Sequence, residues 1–199
     1  MNYYPWLHDD EDRSLAWITY APDVLRDHPK EHQLSEGVSV KGWYPADVEM
    51  ELSDQRGIKL ADSVPNIMSL LIVSEKLKAL MEERSGAQLE FLPVRLRDQK
   101  QRLVQKPYYV MNVLGTVECV DLERSKFRRS HIIPERIFRF FHLILDESKI
   151  PPDKKIFRLK EDPSLVIIRE DLCEDILRAK VEGVMFLEMD EYGKEWGQR

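Results

Sequence analysis

Cysteines and long apolar runs are scarce in this chain of 199 residues. Its two cysteines, Cys119 and Cys173, lack the spacing of metal-ligand pairs, so we expect thiols buried in the core. No apolar run approaches the roughly 20 residues that cross a bilayer. The N-terminus, MNYYPWLHDDEDR, lacks the basic and apolar parts of a secretory signal. We therefore expect a cytoplasmic protein with no membrane partner.

Common catalytic motifs are also missing. The eight glycines are scattered and never form GxGxxG or GxxxxGK, and neither HExxH nor GxSxG occurs. Of the five histidines, His28 and His32 come nearest to ligand spacing, but Pro29 and Lys30 place them in an expected loop. The sequence therefore predicts no catalytic residue, no cofactor and no metal.

The chain does contain an internal repeat, because residues 70–94 recur 95 positions later as residues 165–189 without a gap. A constant offset over that length indicates one supersecondary unit used twice as a packing element. Six positions carry most of the similarity: Leu70, Ile72, Glu75, Leu77, Phe91 and Leu92 match Leu165, Ile167, Glu170, Leu172, Phe186 and Leu187.

Each copy has the pattern of a strand, a helix and a second strand. A short apolar, partly β-branched run predicts the first buried strand. In the first copy Ser74 can cap the helix, and Gly86 can end it. The second helix would end before Gly183. We expect its apolar residues to be buried, namely Leu172, Cys173, Ile176 and Leu177.

The rest of the chain predicts strands and loops around these two units. Prolines and glycines interrupt residues 1–60, which we expect to be an irregular region anchored by aromatic residues. Residues 107–122 read as one long strand with a bend at Gly115, residues 124–129 as a basic loop, and residues 137–145 and 156–159 as strands. The prediction is a single α+β domain, residues 1–199, with a mixed, largely antiparallel sheet in which the two units, residues 70–94 and 165–189, flank a β meander.

The net charge of −6 conceals a strong segregation. Residues 95–160 hold 16 Lys and Arg against 8 Asp and Glu, whereas the remainder holds 14 against 28. Segregated charge can steer a partner of opposite sign, or it can be compensated within the folded surface. The candidate partner-binding residues are Asp9, Asp10, Glu11, Asp12, Asp47, Glu49, Glu51, Asp54, Arg124, Arg128 and Arg129.

Two other classes of function remain open at this point. A nucleic-acid-binding module could use the basic segment 95–129, with Tyr108, Tyr109 and Phe127 as stacking groups. An enzyme without a familiar motif could use carboxylates at strand ends. Its candidates are Asp121 and Asp146 beside His142, although both aspartates also suit turns.

Several segments carry a family resemblance when they are taken together in order. They are Asp62, Pro65, IVSEKLKALME (72–82), EFLPVRL (90–96), YYVMNVLGTVECVDLERS (108–125), LILDESKI (143–150), IFRL (156–159), VIIREDLCEDI (166–176) and EGVMFLE (182–188). Their order and spacing resemble the bacterial immunity proteins of polymorphic toxin systems, specifically the immunity-protein family numbered eleven. The likeness spans roughly residues 3–188. Where the family tends to have Pro-Asp, this chain has Pro65 and Asn66.

The resemblance implies a cytoplasmic protein that protects its producer by binding a cognate toxin encoded nearby. It implies no catalytic residues and no cofactor. Overall acidity and the lack of a recognised nucleic-acid motif favour a partner other than nucleic acid. It does not identify the toxin.

Overall fold

The computed structural model describes residues 2–194, so Met1 and residues 195–199 of the predicted domain lie outside the described part. The fold class is mixed α+β, as predicted. The described helices are α1 (Asp23–Arg26), α2 (Glu75–Arg84) and α3 (Glu170–Arg178). The described strands are β1 (Tyr3–His8), β2 (Glu49–Glu51), β3 (Ser63–Val64), β4 (Leu71–Ser74), β5 (Leu89–Arg97), β6 (Tyr108–Val113), β7 (Thr116–Val117), β8 (Lys126–Arg129), β9 (Ile137–His142), β10 (Ile156–Leu159), β11 (Val166–Arg169) and β12 (Val184–Phe186).

The strands form two five-stranded sheets and a separate hairpin, not the single sheet expected. Sheet I has the order β12-β1-β11-β10-β7, and sheet II has the order β2-β5-β6-β4-β3. Pairing is antiparallel except for β7 with β10 and β2 with β5. Gly115, with a φ of +80°, lies where the chain leaves sheet II after β6 and enters sheet I as β7. That change of sheet interrupts the predicted meander.

The two repeat copies take corresponding places in the two sheets. In sheet II, β6 lies between β4 and β5 and runs antiparallel to both. In sheet I, β1 lies in the same way between β11 and β12. The registers also correspond, so the repeat extends to a central strand supplied once from the middle of the chain and once from its N-terminal part. The equivalent pairs are Val73–Tyr109 with Ile168–Tyr4, and Phe91–Met111 with Phe186–Trp6.

The expectation of an irregular N-terminal region was wrong for β1, which is a central strand. Pro5 suggested a break, because proline lacks a backbone N–H. The Asn2 carbonyl accepts a hydrogen bond from the Glu170 N–H, so Pro5 faces away from β11. On that side, pairing with β12 begins only at Trp6. The backbone N–H that Pro5 lacks is therefore not needed for hydrogen bonds between β1 and either of its neighbouring strands.

Alternation along the strands buries both faces of each sheet. Leu71 and Val73 of β4 join an apolar cluster that includes residues of both repeat helices, whereas Ile72 faces a second cluster built with the N-terminal segment. In sheet I, Ile168 joins the helix cluster and Ile167 faces a third cluster under the β8–β9 hairpin. Two-sided burial explains why these strands are continuous apolar runs.

The helices follow the sequence pattern closely, with one exception. Ser74 accepts a hydrogen bond from the Leu77 N–H at 3.3 Å and caps α2, and Gly86 follows the helix with a φ of +63°. In α3, Leu172, Cys173 and Ile176 are buried as expected, but Leu177 is 60% exposed. The Leu177 prediction was wrong because the apolar pattern of a nine-residue helix does not show which residue lies at the border between its buried and exposed faces.

Candidate functional site

The first acidic cluster, residues 9–12, uses half of its carboxylates to build a turn. One carboxylate oxygen of Asp9 accepts hydrogen bonds from the Glu11 and Asp12 N–H groups, both at 3.1 Å. Asp12 accepts from Ser14, which lowers the pKa of its carboxyl group, and lies 3.7 Å from the Lys59 ammonium. Asp10 and Glu11 are exposed and remain available to a partner.

The second acidic cluster is partly neutralised inside the fold. Because β2 pairs in parallel with β5, Glu49 lies beside Arg95 and Arg97, at 2.9 and 2.6 Å. The Arg97 hydrogen bond lowers the pKa of Glu49. Glu51 accepts a hydrogen bond from Gln101 at 3.4 Å. Asp47, Glu51 and Asp54 are exposed, so among the described residues the basic segment neutralises only Glu49 of this cluster.

The basic cluster at residues 124–129 forms most of strand β8, where a loop was expected. The sequence KFRR has no apolar alternation, yet β8 pairs with β9 because Phe127 packs against Phe140 across the hairpin. Arg124 lies 3.7 Å from Asp121. Arg128 is exposed, and within the described residues no carboxylate lies within 4.0 Å of its guanidinium group. Instead it lies 5.2 Å from the centre of the Phe138 ring.

Two aromatic stacking candidates are unavailable to a nucleic acid. Tyr108 is buried, and its hydroxyl group donates to the Ala61 carbonyl at 2.9 Å. Phe127 packs on the cluster under the hairpin and is covered by Arg129 at 5.2 Å. Tyr109 is partly exposed, with the Lys78 ammonium 5.2 Å from its ring centre. The three rings therefore do not form one stacking surface.

The candidate catalytic groups are not brought together in one cavity. Asp121 accepts hydrogen bonds from the N–H groups of Glu123 and Arg124, and Asp146 accepts from Ser148, so both aspartates shape turns. His142 lines a cavity of about 280 Å³ together with Glu188, and neither aspartate lines it.

Neither the paired histidines nor the cysteines show a ligand-binding arrangement. The His28 ring stacks on Trp43 at 4.2 Å, and His32 lies 3.9 Å from a Glu36 carboxylate oxygen. Cys119 and Cys173 are buried free thiols, and burial raises the pKa of each to about 12. Across residues 2–194 no cluster of three or more potential metal ligands occurs, and no helix is long and apolar enough to span a bilayer.

Sequence reasoning missed the exposed apolar residues of the hairpin and one buried charge. Ile132, Phe138 and Phe141 are exposed, although the run IFRFFH had been assigned simply to a strand. Aromatic residues at consecutive positions were the available signal, because they place apolar rings on both faces. Arg158, hidden in the motif IFRL, is 2% exposed and donates to the Val113 and Pro163 carbonyls at 3.0 and 2.7 Å.

This is a mixed α+β protein. Its candidate partner-binding residues lie on loops, on strand β2 and on the β8–β9 hairpin, and its candidate catalytic residues do not share one cavity. Residues 12–191 match the model of the Immunity protein family (Imm11), and the chain belongs to that family. It therefore has an immunity protein role, in agreement with the resemblance noted in its sequence. No match was found among curated proteins.

Proposed function

We propose that this protein neutralises a cognate bacterial toxin by tight stoichiometric binding, and that it does so in the cytoplasm without chemistry of its own. The observation that carries the proposal is the family match over residues 12–191. An immunity protein that blocks its toxin needs a rigid scaffold and a complementary surface. Two sheets buried on both faces supply such a scaffold.

A standard interface is large enough for this role. Complexes that bury roughly 1,600 Å² can reach nanomolar affinity, which corresponds to about −12 kcal/mol. Opposite charges on the two partners would raise the association rate. The proposed contact residues lie in two acidic segments, one of which contains strand β2, and in one basic segment. They are Asp9, Asp10, Glu11, Asp12, Asp47, Glu49, Glu51 and Asp54 in the acidic segments, and Arg124, Arg128 and Arg129 in the basic segment.

The two kinds of surface suit different toxins. If the toxin is a nuclease, its cleft would be basic, and the acidic segments could occupy that cleft by mimicking the phosphates of the substrate. The basic segment would suit an acidic face. Within the two acidic clusters, the exposed residues with no cation within 4.0 Å in the described part of the chain are Asp10, Glu11, Asp47, Glu51 and Asp54. They are therefore the residues of the acidic segments best able to contact a partner.

Co-expression tests the proposal. The toxin gene adjacent to this chain's gene is induced with and without the immunity protein, and a catalytically inactive form of that toxin is used for affinity purification. We expect restored growth and a complex with a fixed molar ratio. Continued killing at equal expression, together with no complex on size-exclusion chromatography, would contradict the proposal.

A further inference from the structure

We propose that the β8–β9 hairpin, residues 126–142, is the surface that contacts the toxin, and that the toxin surface it meets is acidic with an apolar depression. This inference rests on the proposed function and adds to it the contact surface and the chemistry of the partner.

The hairpin and the turn before it concentrate exposed apolar side chains. Of the twelve large hydrophobic side chains exposed within residues 2–194, five lie between residues 122 and 141. Ile132 at the hairpin tip is 90% exposed, and Phe138 on its outer face is 66% exposed. Exposed aromatic and aliphatic groups clustered on one element are typical of interaction sites. The five residues are Leu122, Ile132, Ile133, Phe138 and Phe141.

The same element keeps a positive charge that the fold does not cancel. Residues 124–142 contain six Lys and Arg but one acidic residue, Glu135. Arg124 pairs with Asp121, and Arg136 pairs with Glu36 at 2.6 Å. Lys126, Arg128 and Arg129 have no carboxylate within 4.0 Å in the described part of the chain. Glu49 of β2, in contrast, is paired with both Arg95 and Arg97. An acidic partner surface would complement the hairpin.

The hairpin is also held in one shape before any partner binds. Its inner side chains, Ile137 and Phe140, are buried in the cluster that covers sheet I. At the tip, the Ser130 hydroxyl group accepts hydrogen bonds from the N–H groups of Ile132 and Ile133, at 3.2 and 3.1 Å. The Arg136–Glu36 ion pair fixes the returning strand. A surface ordered in advance loses less conformational entropy on binding.

Two other occupants fit less well. A single-stranded nucleic acid would stack bases on the exposed rings, but it would leave the exposed aliphatic side chains of Ile132 and Ile133 uncovered, and the protein carries a net charge of −6. A second copy of this chain in a two-fold symmetric contact would place the same basic surface against itself. An acidic protein surface satisfies both the charge and the apolar groups.

Binding measurements on matched variants test the inference. The hairpin variant combines Arg128→Glu with Phe138→Ser, and the control combines Arg56→Glu with Tyr20→Ser, an exposed arginine and an exposed aromatic residue elsewhere. Each is titrated against the catalytically inactive product of the adjacent toxin gene by isothermal titration calorimetry. We expect Kd to rise about 100-fold or more for the hairpin variant and less than about threefold for the control.

The outcomes separate the inference from the proposed function. If the unmodified protein binds and the hairpin variant binds equally well, the inference fails while the proposed function stands; if the unmodified protein does not bind, both fail. Should the double variant lose its fold by circular dichroism, Arg128→Glu alone replaces it, with Arg56→Glu as its control. A nucleic-acid control uses a labelled 20-nucleotide poly-U strand. If Arg128→Glu abolishes binding of this strand but leaves toxin binding unchanged, the inference is also overturned.

Discussion

His8 is a half-buried histidine in strand β1 of sheet I. Burial lowers the pKa of His8 to about 4, and its Nδ1 atom is buried without a hydrogen-bond partner. The other ring nitrogen lies 3.4 Å from the Asn66 amide nitrogen. The folded protein therefore holds this ring neutral at pH values where an unfolded chain would protonate it.

We expect His8 to make the protein less stable as the pH falls. Its pKa is about 6.5 in the unfolded state and about 4 in the folded state, so the unfolded state binds more protons between these values. Stability attributable to His8 is complete above pH 6.5 and is lost progressively toward pH 4. The difference between the two pKa values corresponds to roughly 3 kcal/mol in the free energy of unfolding.

Urea denaturation of the unmodified protein, His8→Gln and the exposed control His131→Gln, at pH 7 and pH 5, measures this effect. Burial raises the pKa values of Glu161 and Asp162, which gives an opposite slope, so the informative quantity is the difference between variants. We expect His8→Gln alone to reduce the loss of stability at pH 5. An equal loss in all three proteins would contradict the assignment.

The candidate contact residues illustrate how far single positions could be predicted. Arg128 was identified from its basic run and is indeed exposed, whereas Phe138 was not identified. A charged residue is usually exposed, as Arg128 is, although Arg158 is a buried exception. An aromatic residue in a strand is exposed or buried according to what covers that face, and tertiary packing decides this.

The repeat was the most predictive feature for the secondary structure elements. Both helices begin and end close to the expected residues, because caps, stops and apolar periodicity are local properties. In the second copy, the strand that lies between β11 and β12 could not be predicted. Its central strand, β1, comes from the opposite end of the chain, and only the recurrence of two adjacent tyrosines, Tyr3–Tyr4 and Tyr108–Tyr109, hinted at it.

Gly183, which precedes the last repeat strand, gives a test of how the two sheets are joined. It has a φ of +85°, and an added Cβ atom would lie 2.0 Å from the Ser63 carbonyl oxygen. A left-handed conformation costs an alanine roughly 1–2 kcal/mol. We expect Gly183→Ala to destabilise the protein by more than this, because the added Cβ atom would also clash with the Ser63 carbonyl group.

The matched control is Gly42→Ala, where an added Cβ atom meets nothing within 4 Å. Thermal unfolding followed by circular dichroism compares the two variants with the unmodified protein. A midpoint for Gly183→Ala equal to that of Gly42→Ala would show that the backbone at Gly183 does not approach Ser63 as closely as described.

The distribution of charge over the folded protein differs from its distribution along the sequence. The acidic segment at residues 47–54 and the basic segment at residues 95–102 are far apart in sequence, yet β2 and β5 are neighbouring parallel strands. Nothing local predicts that pairing, so the neutralisation of Glu49 by Arg95 and Arg97 could not be predicted from the sequence. Arg128 and Arg129 of β8 keep their charge uncompensated because β8 has only β9 as a neighbour.

Titration of toxin activity against immunity protein tests most directly whether this protein acts by binding alone. The purified toxin is held far above the expected nanomolar Kd, and its residual activity is measured at increasing molar ratios after equilibration. We predict a linear fall to zero at one fixed molar ratio, unchanged by longer incubation. Complete loss of toxin activity at a small fraction of that ratio, increasing with time, would show turnover by the immunity protein and contradict the proposed mechanism.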